Sequence, residues 1–429
     1  MKLLIKEGRV IDPSQDMDAV LDILVENGQI AQIAENIKAD GAEVYEAKGL
    51  VVTPGLIDVH VHLREPGHEA KEDVITGTQA AAAGGVTTVA CMANTKPVID
   101  SSILVSGLKE RIAREAYVNV EIIGAVTKGL EGKELAEMGD MAFAGAMAFS
   151  DDGHEVRNSR IFRSALEYAS IFDKTIIVHA EDEALTANGF MNESATSTRL
   201  GIPGIPAVAE DIAVSRDIML AELTGAKLHI AHVSSKGAVD IIRQAKKRGV
   251  KVTAEAAVHH LTLTDEMVEG YNTAAKVAPP LRTMDHVEAL REGLKDGTID
   301  AIVTDHAPHA FEEKDVEFRY APNGFTGLET SLAVVLTDLY HGKIFSLDEI
   351  VDKMSTSPAR LFGLAAGTLK VGAKADITIF DLEKKWTVDS AKFYTRGKFT
   401  PYEGKKCRGK AVATIVGGKI VMKDGVVNE

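Results

Sequence analysis

Cysteine is nearly absent: the 429 residues contain two, Cys91 and Cys407. Two isolated thiols in a large chain exclude a disulfide scaffold and fit a reducing compartment. Cys91 lies in an apolar run, where a small core residue is the simplest reading. Also missing is any run approaching the ~18 uninterrupted apolar residues that a membrane-spanning helix needs. The opening MKLLIKEGRVID has no apolar stretch long enough for a secretory signal. Positive charge is in the minority, with 48 Lys and Arg against 63 Asp and Glu and a formal net charge of −15. No Lys/Arg block offsets that balance, so nucleic acid and anionic membrane are not expected as partners. A small anionic substrate could still be drawn in by a local arginine and a metal. Repeats and low-complexity segments are lacking too, and the expectation is a cytoplasmic enzyme acting on a small molecule.

What is present is ordinary globular composition, 45% hydrophobic and 26% charged. The length suits a barrel of about 250–300 residues plus an accessory part. The first fifty residues alternate and turn often, with Asn27-Gly28 between two apolar runs as a hairpin signal. The last sixty repeat that style, as in ADITIF and AVATIVGGKIV. Each end is short for a stable sheet of its own, and pairing the two into one β-sandwich would solve the problem.

Between the ends, short apolar runs alternate with helical patterns. The strand candidates are 55–63, 86–93, 118–125, 145–150, 175–181, 227–235, 251–260 and 301–307, with helices between most of them, for example 207–224 and 236–248. Eight such alternations predict an α/β fold, a (β/α)8 TIM-type barrel with a small composite β-sandwich from both chain ends. The divisions are 1–53, 54–364 and 365–429. The stretch 188–206 has Gly and Pro without clear periodicity and reads as a long surface loop.

In such a barrel the chemistry sits at the C-terminal ends of the strands. Potential metal ligands fall at those ends: His60 and His62 on the first, Asp151-Asp152 after the fourth, His179 on the fifth, His232 on the sixth and Asp305 on the eighth. His60 and His62 are two apart, so both can face the same side of a strand. Imidazole and carboxylate together suit zinc and similar divalent metals. A lone histidine at a strand end is more often a hydrogen-bonded cap, but the first, fifth, sixth and eighth strands all ending in His or Asp would require that coincidence four times. His229, at odd spacing from His232, is expected to face the other side as a structural residue. His259 and His260 fit loop packing or a supporting role, and only one of His306 and His309 is expected to face the site.

The segment VTPGLIDVHVHLREPG (52–67) resembles the opening signature of the amidohydrolase superfamily, and its LREPG extension resembles the dihydroorotases. NTKP (94–97), FSDDG (149–153), LGIPGIPA (200–207), IAHVS (230–234), PPLR (279–282), TDHAPH (304–309) and GLET (327–330) extend the likeness in order along nearly the whole chain, to the long, type I bacterial group. The resemblance implies two zinc ions per subunit, one held by His60, His62 and Asp305, the other by His179 and His232, with Asp152 bridging them. Many relatives place a carboxylated lysine at the bridge. No lysine lies between Gly145 and Glu155 here, which argues against the dihydropyrimidinase and hydantoinase branches. The activity implied is reversible cyclisation of N-carbamoyl-L-aspartate to (S)-dihydroorotate in pyrimidine biosynthesis, with Asp305 as general acid/base. His62, Leu63, Arg64, Asn94, His309, Asn323 and Gly324 would bind substrate, Arg64 gripping its carboxylate in bidentate fashion. The alternative for Arg64 is an ordinary ion pair at the barrel rim, and for Asn323-Gly324 an ordinary turn. A homodimer, a substrate-covering loop at 308–321 and association with aspartate transcarbamoylase are further implications of the family. Ala278 stands where the family commonly has an asparagine before the PPLR segment. That departure keeps open another cyclic amidase such as allantoinase, and a non-catalytic scaffold for the transcarbamoylase is a third reading.

Overall fold

The computed structural model describes residues 2–428. Eight parallel strands, Leu56–Val61, Val86–Cys91, Asn119–Gly124, Ala148–Ser150, Ile176–Val178, Leu228–Ile230, Val252–Ala257 and Ala301–Val303, pair in chain order. Past the last strand, Val61 bridges His306, and the His62 N–H donates to the His306 carbonyl at 2.8 Å. Asp58 reinforces this seam, accepting from the Thr304 N–H at 3.1 Å and from its hydroxyl at 2.5 Å. Each expected strand position holds an observed strand, so the predicted barrel is the fold. The strands are shorter than the apolar runs: His60 lies within the first strand, while His62, Asp152, His179, His232 and Asp305 follow their strands by one or two residues.

The helices form where caps and packing allow them. Asp73 accepts from the Thr76 N–H to start Val74–Gly84, and Gly85, at φ 90°, ends it. Three fully buried alanines, Ala80, Ala81 and Ala82, let that helix lie close against the barrel. Val208–Thr224 and Lys236–Lys247 occupy the two helical spans read from the sequence.

Strands from both chain ends build a separate nine-stranded sheet. Val51–Pro54 pairs in antiparallel register with Ile377–Thr387, which joins the two ends of the chain. Hydrogen bonds run through these strands as one continuous sheet, and register shifts within Lys2–Asp12, Ile377–Thr387 and Lys406–Val416 supply the bends. Leu3, Ile5, Val25, Val52, Ile377, Ile379 and Ile415 form its own buried core. Neither end could bury that surface alone.

One expectation fails. Residues 188–206 are not a featureless surface loop. Met191–Asn192 pairs with Gly204–Ile205, and Ser194 caps the helix Ala195–Leu200 with a reciprocal bond to Ser197. Asn192, Thr196 and Ser197 are buried. Elements of two to six residues are too short to show a period, so tertiary contacts alone make them visible.

Candidate metal centre and active site

At the C-terminal mouth of the barrel, six side chains separated by up to 245 residues converge. His60 Nε2 lies 3.4 Å from Asp152 Oδ1 and 3.7 Å from Asp305 Oδ1. His62 Nε2 lies 3.1 Å from Asp305 Oδ1 and 3.5 Å from Asp152 Oδ2. His232 Nε2 is 3.5 Å from Asp152 Oδ1 and 3.0 Å from His179 Nδ1. Asp152 thus turns one oxygen toward His62 and the other toward His60, His179 and His232, the placement of a bridging ligand. His60, Asp152 and His232 form one potential cation site, and His60, His62 and Asp305 a second.

The donor chemistry fits divalent metal. All six side chains are buried, and His60 Nε2 and Asp152 Oδ1 have no hydrogen-bond partner although neither reaches solvent. Orphaned buried polar atoms of this kind, aimed at one point, are what a metal would satisfy. Burial opposes charge on Asp152 and Asp305, yet the surrounding imidazoles hold both carboxyls well below the usual carboxylate range. Burial likewise opposes charge on His60, and Asp152 and Glu255 outweigh it, raising the ring well above its ordinary value. A cluster that holds protons this firmly is one in which cations can replace them.

Three of the four rings are gripped from behind. Glu255 takes His60 Nδ1 at 2.6 Å, Asn94 takes His62 Nδ1 at 2.9 Å, and Glu181 lies 3.4 Å from His179 Nε2. Such partners fix the tautomer, leaving the other nitrogen of each ring for metal. Glu255 and Glu181 were not singled out from the sequence, because a carboxylate in a strand carries no motif that distinguishes it from any other. Glu255 also receives His229 Nε2 at 3.0 Å. The role expected for His229 is therefore structural, but its direction differs: it supports the carboxylate beneath the site. The strand ends at Ile230 and His232 has φ 31°, so counting by twos does not reach across that bend.

Three residues of the site have positive φ without being glycine: His232, Asp305 at 49° and Arg64 at 60°. Backbones of this kind are costly and are retained where the surrounding structure demands them. Asp151 is excluded as a ligand because its carboxylate is spent on the N–H groups of Val126 and Thr127 and on the Thr127 hydroxyl.

A cavity of about 250 Å³ opens beside the cluster, lined by His62, Arg64, Asn94, Asp152, His179, Glu181, His232, Ala278, Asp305, Asn323 and Gly324 among others. Arg64 donates to the Pro308 carbonyl at 3.2 Å and forms no ion pair among the described residues. The rim ion pair that the sequence also allowed is not found. His309 stands against Arg64 at 3.4 Å and donates from Nε2 to the Asn323 carbonyl at 2.7 Å. Burial and the Arg64 charge push its pKa down to about 3, so the ring is neutral. Gly324, at φ 111°, brings bare backbone to the cavity wall, and a Cβ there would lie 2.7 Å from that of Ala307.

Leu63 departs from the expected substrate set. Its side chain is buried in the core, beside Gly77 of the first barrel helix. Side chains alternate along an extended chain, so the residue after His62 points away from it. Asn94 does more than expected, since its Nδ2 also donates to Asp152 at 3.3 Å. His306 turns from the cavity to meet Glu72 at 3.3 Å. His259 and His260 are buried in a short helix, His260 donating to the Pro279 carbonyl at 3.0 Å. Within the segment 308–321, Lys314 and Phe318 are buried and Phe311 and Tyr320 exposed.

The comparisons agree with this geometry. Residues 49–238 match a family model described as dihydro-orotase-like, and 284–422 match one for the amidohydrolase family. A dihydroorotase of Geobacter metallireducens is 54% identical over 99% of this chain and 100% of its own length. One from Syntrophus aciditrophicus is 52% identical, with the same coverage. Among solved structures, an L-hydantoinase (dihydropyrimidinase) from Arthrobacter aurescens superposes with a TM-score of 0.90 at 28% identity, covering 100% of this chain and 97% of that one. With that identity sustained from end to end and an amidohydrolase barrel to match, the chain belongs to the dihydroorotase family.

Proposed function

We propose that the protein is a dihydroorotase, a metal-dependent hydrolase that interconverts N-carbamoyl-L-aspartate and (S)-dihydroorotate plus water in de novo pyrimidine biosynthesis. The observation that carries this reading is the adjacency of two things in one cavity: a cluster of four imidazoles and two carboxylates, and an arginine that forms no ion pair among the described residues. The first suits hydrolysis of an amide, the second a substrate with a free carboxylate.

His60, His62 and Asp305 would hold one zinc ion and His179 and His232 a second, with Asp152 between them. Divalent metal, when bound, acidifies water and polarises a carbonyl. In ring opening, the water oxygen bonds to the ring carbonyl carbon and the bond from that carbon to the ring nitrogen breaks. Asp305 takes the water's proton and delivers it to the departing nitrogen. Arg64 grips the exocyclic carboxylate, with Asn94 and His309 beside it and the Asn323–Gly324 backbone against the ring. The His62 ring completes that wall. Ala278 offers a methyl group and backbone where an amide was expected, which leaves ring recognition to these neighbours.

Two buried free thiols, Cys91 and Cys407, support a reducing compartment, the cytoplasm. No helix among the described residues is long and apolar enough to cross a membrane. The family resemblance supports a homodimer.

Cyclisation of the dianionic N-carbamoyl-aspartate to the monoanionic ring consumes a proton. Zinc-loaded protein should therefore close the ring at mildly acid pH and open dihydroorotate at alkaline pH. Absence of turnover in both directions with metal bound overturns the proposal.

A further inference from the structure

Bonded to the backbone of the Asn323–Gly324 edge of the cavity is a buried lysine that the reaction does not use. Lys314 ends the short helix Phe311–Lys314 and is 1% exposed. An ammonium group removed from water is expensive unless it is paired or fully hydrogen-bonded. Lys314 makes no ion pair among the described residues. Its Nζ donates instead to the carbonyls of Pro322, at 2.9 Å, and Gly324, at 2.8 Å.

Those two carbonyls flank Asn323. The intervening Asn323 carbonyl accepts from His309 Nε2 at 2.7 Å, while the Gly324 N–H donates to the Lys276 carbonyl at 2.9 Å. One side chain thereby holds the Pro322–Asn323 and Gly324–Phe325 peptide units, on either side of the Asn323–Gly324 peptide. Burial, and then the neighbouring Lys276, push the Lys314 pKa down to about 7, the mark of a cation kept away from solvent. Lys276 anchors the same segment further back, donating to the carbonyls of Phe318 at 2.8 Å and Arg319 at 3.0 Å. Both lysines spend their charge on the backbone of a single stretch, 318–324, whose end lines the cavity.

We propose that Lys314 is a positioning residue for the substrate pocket: its ammonium group fixes the Asn323–Gly324 edge and, through the Asn323 carbonyl, the ring of His309 beside Arg64. This rests on the reading of the cavity as the dihydroorotate site. Lys314 touches neither the metal ligands nor Asp305. Its loss therefore loosens the binding wall without disturbing the cluster that breaks the bond. Arginine, a planar donor able to reach two carbonyls, restores part of the function.

The test uses the full-length, zinc-loaded protein with dihydroorotate. Lys314→Met is expected to raise KM about tenfold, the scale of lost charged hydrogen bonds, with kcat within about threefold and zinc content unchanged. Lys314→Arg should recover at least half of the lost kcat/KM. A KM within about twofold of the parent, or a fall in kcat that tracks lost zinc, overturns the inference. If the methionine variant does not fold, Thr273→Val removes the hydroxyl that donates to the Lys314 carbonyl at 2.8 Å and tests the same link. A raised KM at constant kcat is then expected, and an unchanged KM overturns the inference. A parent enzyme that turns over neither substrate refutes the assigned function instead, so the two failures are distinguishable.

Discussion

Glu255 accepts a 2.6 Å hydrogen bond from Nδ1 of His60, and both residues are almost wholly buried. The second oxygen of Glu255 takes His229, and the His232 N–H approaches the first at 3.4 Å. Burial alone would raise this carboxyl, but His60 and His229 hold it down to about 2. The carboxylate is therefore charged at every working pH and orients two candidate ligands together. Glu255→Gln should weaken zinc binding about 10- to 100-fold. Titration with a competing chelator checks this, and an unchanged affinity would show that His60 is oriented without it.

Arg64 pairs with no carboxylate among the described residues. Its contribution should therefore appear when substrate brings one. Arg64→Met is expected to lower kcat/KM about 100-fold, mainly through KM, as befits a lost bidentate charged contact. Steady-state kinetics with metal content measured in parallel would separate this from damage to the cluster.

Asp305 lies within 3.1 Å of His62 and is held as a carboxylate by the rings around it. Asp305→Asn keeps the shape and removes the base. A loss of at least about 10³-fold in kcat is expected in both directions. A variant that kept near-parent rates would leave proton transfer to some other group.

Chelation should abolish turnover and also lower the unfolding temperature, because ligands that bind only the folded chain stabilise it. Buried orphan atoms such as His60 Nε2 and Asp152 Oδ1 would be left unsatisfied. Zinc added back should restore both rate and melting temperature. Recovery of one without the other would contradict a metal with both roles.

Glu329 accepts the N–H groups of Tyr394 at 2.8 Å and Thr395 at 3.1 Å, tying the barrel to the C-terminal segment. Burial raises its pKa from 4.5 to about 8. A carboxyl raised on folding stabilises the folded chain fully below its unfolded pKa, and that contribution is lost as pH climbs toward 8. Glu329→Gln keeps an acceptor and cannot ionise. Its melting temperature relative to the parent should therefore improve between pH 5 and pH 8.5. A constant difference across that range would show that the carboxyl does not titrate as proposed.

Much of the site was legible because the barrel converts sequence order into spatial order. Each parallel strand ends at the same mouth, so histidines and aspartates after apolar runs are brought together by topology. The supporting carboxylates were not legible. Glu181 follows a ligand by two residues and Glu255 sits inside a strand, and nothing local marks either as a partner for an imidazole. Lys314 likewise reads as one more surface lysine until the fold buries it. Leu63 shows the converse: its place in a motif suggested substrate, while its side chain packs into the core.

The amino-acid order determined the eight-fold alternation, the pairing of the two chain ends and the residues able to bind metal, because periodicity and side-chain chemistry are local properties. Tertiary structure alone decided which oxygen of Asp152 faces which ring, that Asp151 turns away, that Arg64 forms no ion pair among the described residues and that residues 188–206 are ordered. Those outcomes depend on distances between groups up to a few hundred residues apart, and on which of them burial leaves without water.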